Sequence, residues 1–249
     1  MAKLQFFDCN LIVGRRSSPR PENNLSIVEI LGELDYAQID KALTTHASAR
    51  DLDPRIGNAA MTELANQHDR FVTSYVVLPH HTGEFPCGDA LLRYLSDGGA
   101  KAVRMFPVEH SFGLGETWCG NLFATLAEAG VPVFIDQDQT DWVQIDGVLE
   151  QHPQLDLVVL RVGYRINRWV YPLLEKHKGL HLEPAFYAAH RGIETLTRKF
   201  GPNRMVFGTG LPEWDAAAPI SAVQYADIDD ECRRQIAGEN LSKLLWNNY

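Results

Sequence analysis

The chain lacks the features that mark disulfide-stapled, membrane-spanning and nucleic-acid-binding proteins. Its four cysteines, Cys9, Cys87, Cys119 and Cys232, are scattered through 249 residues with no C-x-x-C pair. That spacing offers neither a disulfide framework nor a zinc knot and fits reduced thiols, so a cytoplasmic location is expected. No apolar run approaches the ~20 residues that cross a bilayer, and the opening residues, with one lysine and a very short apolar stretch, do not read as a secretory signal. Basic charge is scarce. Lys and Arg number 23 against 32 Asp and Glu, a formal net charge of −9, whereas phosphate backbones are bound by clustered cations. Neither nucleic acid nor membrane is therefore an expected partner. Gly113-Leu114-Gly115 lacks the third glycine and the strand-turn-helix setting of a nucleotide fingerprint.

What is present is apolar substance in alternating pattern. The chain is 45% hydrophobic and 10% aromatic, enough for a full core. Short β-branched runs alternate with stretches of helical periodicity, which points to parallel strands covered by helices. Strands are expected near residues 4–7, 38–43, 71–78, 101–106, 132–135, 156–160, 180–182 and 204–207. Eight of them at this spacing predict one domain over residues 1–249, an α/β (β/α)8 TIM barrel. Helices are expected over 117–129, where Gly130 is the stop, over 142–152 before Pro153, and over 220–226, 229–237 and 241–246. In such a barrel, function lies just beyond the C-terminal strand ends. Residues at strand starts, Arg204 among them, are expected to be structural.

Several phrases carry a resemblance. Arg204-Met205-Val206-Phe207-Gly208-Thr209-Gly210-Leu211-Pro212 is similar to the eighth-strand motif of the amidohydrolase superfamily, in its amidohydrolase-related (family 2) branch. Gly201-Pro202-Asn203-Arg204 matches the lead into that strand, and the 237–245 stretch resembles the branch's terminal Gly-x-Asn-x-x-x-Leu-Leu helix. Asp8-Cys9-Asn10-Leu11-Ile12-Val13-Gly14 is set like the branch's Asp-x-His-x-His-x-Gly. The resemblance implies a barrel hydrolase with a divalent metal at its mouth, yet every implied ligand position is changed. The two first-strand histidines are Asn10 and Ile12, the fifth-strand histidine is Asp136, the sixth-strand histidine is Arg161, and the eighth-strand aspartate is Gly210. A catalytic zinc usually takes three protein ligands and an open position, which this set does not supply. No metal or other cofactor is expected at the usual place. A relocated divalent metal held by His46, His80, His81 or His110 with Asp136 and Glu183 stays open as an alternative.

The changed positions remain polar, so a chemistry is still expected of them. Asp136 is the first candidate for a general base that activates water. Arg161 presents a planar fork for a carboxylate or a developing oxyanion. Asp8 and Asn10 would orient the group under attack, and His110 or Glu183 would return the proton. Arg104, His80, His81, His190, Trp118 and Trp214 are the candidate substrate contacts. Each has a plainer reading beside it: an Asp136–Arg161 ion pair that only fixes geometry, an Asp8 that caps a loop, a Glu183 that steers the chain at Pro184, exposed loop histidines, and an inert buried Cys9. The expected function is metal-independent hydrolysis of a small carboxylated ester, lactone or amide. The expected partner is a small anionic substrate, with self-association open. The alternative is a barrel that binds a ligand without turning it over.

Overall fold

The β-branched runs form seven strands in the computed structural model, which describes residues 4–246; residues 1–3, part of the opening segment judged above not to be a signal, lie outside it. The strands are β1 (Phe6–Val13), β2 (Ile39–His46), β3 (Phe71–Val76), β4 (Ala102–Met105), β5 (Val133–Asp136), β6 (Leu157–Leu160) and β7 (Leu180–Leu182). They lie in chain order in one sheet, each parallel to the next. Parallel neighbours need long crossovers, and helices supply them: α1 (Ile27–Tyr36), α2 (Ala47–Asp51), α3 (Pro54–Gln67), α4 (Gly88–Asp97), α5 (Glu116–Glu128), α6 (Trp142–Gln151), α7 (Asn167–Lys176) and α8 (Gly192–Phe200). Local chemistry sets their starts. Ser26 and Glu29 form a capping box ahead of α1, Asp53 caps α3 just before Pro54, and Asp141 caps α6. Among the described residues no helix is long and apolar enough to cross a membrane.

Two expectations are corrected. An eighth regular strand over 204–207 does not form. Residues 202–204 make a 3-10 turn, Met205 makes a single parallel bridge to Leu182, and the chain then runs on without a continuous ladder. It is still tied on both sides. Val206 N–H donates to the Leu182 carbonyl at 3.0 Å, Cys9 N–H to Phe207 at 2.8 Å, and Gly210 N–H to Asn10 at 3.1 Å. Gly208 and Gly210 explain the irregularity, because glycine weakens a strand and admits the left-handed φ of +77° found at Gly210. The first strand, expected to end at Phe7, continues to Val13 with every residue buried. Polar Asp8 and Asn10 break the apolar run in sequence, but their hydrogen-bond partners allow them inside. An irregular register between Asp8 and Leu11 accommodates them.

The end of the chain is α9 (Ala217–Gln224), α10 (Asp230–Arg234), a π-helical turn (Gln235–Glu239) and α11 (Asn240–Trp246). Leu241, Leu244 and Leu245 of α11 pack with Phe7, Cys9, Leu43, Ala102, Phe134, Val158 and Leu160, a core distinct from the layer between sheet and outer helices. The Gly-x-Asn phrase acquires a physical meaning here. A Cβ on Gly238 would stand 2.8 Å from the Gln5 carbonyl oxygen, and Asn240 donates to the Pro202 and Met205 carbonyls, each at 2.8 Å. Arg204 is structural: its guanidinium donates to the carbonyls of Leu180 at 3.0 Å, Leu174 at 3.3 Å and His177. It thereby satisfies the otherwise unpaired C-terminal carbonyls of α7.

Candidate active site

Successive residues of a strand alternate between faces. Arg104 therefore shares a face with Ala102, and Asp136 with Phe134, one layer above the inner core. At that level the strand ends carry two polar clusters. The first is carboxylate-rich. Asp8 is fully buried and accepts N–H groups from Asn10 at 2.8 Å and Thr209 at 3.0 Å, and the Thr209 hydroxyl as well. Glu183, also fully buried, accepts the N–H of Arg161 at 2.8 Å and of Ala185 at 2.6 Å, and the Asn10 amide at 3.4 Å. These bonds join β1, the ends of β6 and β7, and the 205–211 segment. Burial pushes the Asp8 carboxyl up despite its hydrogen bonds. Burial likewise pushes Glu183 up to about 7, against the Arg161 and Ala185 N–H groups. Cys9 is buried too, and burial, with Glu183 and Asp8 nearby, holds its thiol far above the reactive range.

The second cluster is a chain of alternating charges. Arg104 donates to Asp136 Oδ1 at 2.6 Å, both side chains being almost wholly buried. Asp136 Oδ2 stands 3.5 Å from Arg161 Nη2, which also pairs with Asp138 at 2.5 Å. Arg161 Nη1 lies 3.9 Å from Glu213 Oε2. Glu213 pairs with Arg16, and Arg16 Nε with Asp51 at 2.8 Å. Six segments contribute: the ends of β4, β5 and β6, the loops after β1 and after residue 210, and α2. Burial disfavours the Arg161 cation, but Asp136, Asp138 and Glu213 outweigh it and hold the guanidinium above its ordinary range. Arg161 has a left-handed φ of 55°, uncommon for a residue with a side chain and found where surroundings impose it.

A third group surrounds Phe106, a fully buried ring. Arg50 and Arg104 place their guanidinium carbons 5.0 and 5.1 Å from its centroid, and the His110 ring lies 6.0 Å away. Arg50 also pairs with Glu109. His110 Nε2 is 2.8 Å from the Arg50 carbonyl oxygen. A carbonyl only accepts, so Nε2 carries the proton and Nδ1 of the neutral ring is left as an acceptor.

The remaining sequence candidates lie apart. His80 and His81 stack on one another, centroids 4.2 Å apart, and His81, His110 and Trp118 line a groove with Leu78 and Phe112. His190 is exposed. Trp214 packs edge-on against Phe186 at 4.9 Å beside Gly210. His46 caps α2 through Nδ1. Sequence reasoning missed Arg16, Arg50, Asp51, Asp138, Thr209 and Glu213. Thr209 stands inside the quoted eighth-strand phrase without a role assigned to it, the others stand in loops or short helices with no motif, and only the fold brings them to the mouth.

A divalent metal at the place implied by the resemblance does not fit these residues. Asp136, the carboxylate available there, is held by Arg104 and faces Arg161, and Asn10 turns its amide nitrogen to Glu183. A side chain at 210 would begin 3.0 Å from Trp214 Cδ1 and needs the left-handed φ. Among the described residues no group of three or more His, Cys, Asp or Glu side chains is placed to hold a metal ion.

Comparison with known proteins places this architecture. Similar solved structures include an uncharacterised TIM-barrel protein from Bordetella bronchiseptica, with 16% identity, TM-score 0.78, and 98% of this chain and 99% of that one covered. A 5-carboxyvanillate decarboxylase from Novosphingobium aromaticivorans, complexed with manganese and 4-hydroxy-3-methoxy-5-nitrobenzoic acid, is 14% identical with TM-score 0.76, covering 97% and 96%. A 2,6-dihydroxybenzoate decarboxylase from Rhizobium is 13% identical with TM-score 0.69, covering 99% and 100%. At such identities the likeness shows the fold alone. Among curated proteins no sequence matches the chain. The amidohydrolase family model (Amidohydro_2) matches residues 16–245, nearly the whole chain, and on that ground the chain belongs to the amidohydrolase family.

Proposed function

We propose that this barrel, with the 205–211 segment as an irregular eighth unit, hydrolyses a small carboxylated ester, lactone or amide without a divalent metal. One observation carries the reading. Three buried guanidinium Nε–H donors, on Arg50, Arg104 and Arg161, have no hydrogen-bond acceptor among the described residues, and Asp136 Oδ2, 3.5 Å from Arg161 Nη2, likewise makes no hydrogen bond there. Buried polar groups are nearly always paired. Free donors of this kind suit a ligand rich in carbonyl and carboxylate oxygens.

The chemistry follows from the geometry. Arg104 fixes Asp136 through Oδ1, so Oδ2 is the atom that takes a proton from water as its oxygen adds to the carbonyl. Arg161 is kept charged by its three carboxylates, and its Nε–H stabilises the oxyanion. Such a donor reorganises little during reaction, which is where its advantage lies. Glu183, at about 7, is partly protonated near neutrality and gives its proton to the leaving oxygen or nitrogen. Asn10, bonded to Glu183, orients it. The products are a carboxylic acid and an alcohol or amine, joined in a single hydroxy acid when the substrate is a lactone.

A second reading, ligand binding without turnover, is favoured by the burial of Asp136 and Glu183, both inaccessible in this conformation. Incubation with a panel of carboxylated lactones, esters and amides, followed by mass spectrometry, separates the two. Turnover that is lost in Asp136→Asn supports hydrolysis. Ligands recovered intact after long incubation support the binding barrel, and full turnover in Asp136→Asn removes that residue from the base's role.

A further inference from the structure

Charge is unevenly spread along this chain. Residues 105–160 hold nine Asp and Glu and no Lys or Arg, which accounts for the whole formal charge of −9. The sign turns at Arg161: residues 161–178 carry Arg161, Arg165, Arg168, Lys176 and Lys178 against Glu175 alone. The first stretch contains α5 and α6 and the second α7. These helices pack side by side in that order, so an acidic surface adjoins a basic one.

Across the same three helices runs a row of exposed apolar side chains. Each helix follows the C-terminal end of a strand, so its first turn lies at the level of the barrel mouth. There Trp118 of α5, Val143 of α6 and Trp169 of α7 are 55%, 67% and 56% exposed, joined by Val108 and Tyr164 from the adjoining loops. Single exposed apolar side chains are ordinary, whereas a row across adjacent helices marks a contact surface. Beside Trp118 lies a hollow of about 500 Å3, lined also by Val108, Phe112, Gln139 and Gln144. The row ends in opposite charges. Glu116, at the start of α5, is 60% exposed and pairs with the His152 ring at 2.9 Å. Arg168 stands exposed next to Trp169. Among the described residues neither it nor Arg165, which lies over the Tyr164 ring, pairs with a carboxylate.

We propose that this row is the contact between two copies of the chain, related by a twofold axis at the first turn of α6. Helices α5 and α7 flank α6 on opposite sides, so such an axis lays α7 of one copy over α5 of the other. Trp169 of each copy then enters the hollow beside the partner's Trp118, Val143 meets its counterpart near the axis, and Arg168 faces the partner's Glu116. A basic partner of another kind would answer only the acidic end. A second copy answers both ends at once and uses the same patch twice, as an isologous contact requires. This goes beyond the proposed hydrolysis and does not depend on it, because association is read without turnover.

Sedimentation equilibrium of the full chain, from about 1 to about 100 μM, covers the affinities of a modest interface. The wild type is expected to approach twice the mass of one chain at the upper end, and to do so more readily at low salt. Trp169→Ala is expected to weaken association ~30-fold or more, as loss of a buried aromatic anchor does. Arg168→Glu and Glu116→Arg, each alone, bring like charges together at both ends of the contact and are expected to weaken it. Mixed in equal amounts they are expected to form a heterodimer, because both ends then pair opposite charges. All three side chains are exposed, so unchanged circular dichroism is expected and checks folding. Trp169→Ala and Arg168→Glu decide the matter should Glu116→Arg fail to fold. A wild type that stays monomeric throughout overturns the proposal. So does a dimer that neither Trp169→Ala nor Arg168→Glu weakens, or a mixture of folded charge variants that associates no better than either alone.

Discussion

Glu183 makes the chain's stability depend on pH in a direction opposite to that of most paired carboxylates. Its ordinary value of 4.5 rises to about 7 on folding, chiefly through burial. Between those values the folded state holds a proton that the unfolded chain has lost. Stability therefore falls as pH rises through that window, and the full loss is present above about pH 7. At roughly 1.4 kcal/mol per pH unit, the shift corresponds to ~3 kcal/mol, a large share of the stability of an ordinary domain. The perturbation is Glu183→Gln, a neutral side chain of the same shape. It carries its own cost of ~1–3 kcal/mol, because one of the Arg161 and Ala185 N–H donors then faces an amide nitrogen. The variant is accordingly expected to be less stable than the wild type at pH 5 and to draw level with it by pH 8. Asp8, raised by burial as well, adds a slope of the same sign to both proteins, so the informative quantity is the difference between them. Urea unfolding at half-unit steps from pH 4.5 to 8 measures it. Parallel profiles for wild type and variant would refute the assignment of a buried, proton-holding Glu183.

Further perturbations probe the rest of the mouth. Arg104→Met removes the partner 2.6 Å from a buried Asp136 and is expected to cost ~3–5 kcal/mol in urea unfolding, most of it recovered by adding Asp136→Leu. A cost under about 1 kcal/mol would show that Asp136 is held by Arg161 alone. In the native protein iodoacetamide should label exposed Cys87 first, while Cys9 and Cys119 resist it. Both are buried, Cys119 with its thiol pushed up to about 12. Peptide mapping reads the order, and early labelling of Cys9 would contradict its burial at 2% exposure.

Much of the fold was legible because it rests on local pattern. Alternation of apolar runs with helical periodicity located seven strands, six of them within a few residues of their observed limits, and the Gly238 and Asn240 phrase marked a close backbone approach. The eighth strand misled because Met205, Val206 and Phe207 are apolar and strand-like, while the glycines after them decide the outcome. The first strand ended too early because Asp8 and Asn10 look like loop residues until Thr209, 201 positions after Asp8, and Glu183, 173 after Asn10, supply their partners. At the site, sequence singled out Asp8, Asn10, Arg104, Asp136, Arg161 and Glu183, all of which lie at the mouth. It could not pair them. Arg104, named only as a substrate contact, is the close partner of Asp136 because adjacent strands bring together residues 32 apart. Neither the left-handed turn at Arg161 nor the convergence of Glu213 and Asp138 upon it leaves a trace in local composition.

The bonds between Asp8 and Thr209 also bear on how the molecule is made. They tie the first strand to a segment that a ribosome delivers some two hundred residues later. Closing so long a loop costs little more entropy than closing one half its length, so the equilibrium scarcely registers the distance. Time registers it. Until residues 205–211 emerge, β1 and β7 are open edges of a parallel sheet, with main-chain donors and acceptors available to any passing strand. The nascent chain thus carries its greatest aggregation hazard through most of its synthesis and loses it only near the end, which makes β1 the segment on which a chaperone has most to do.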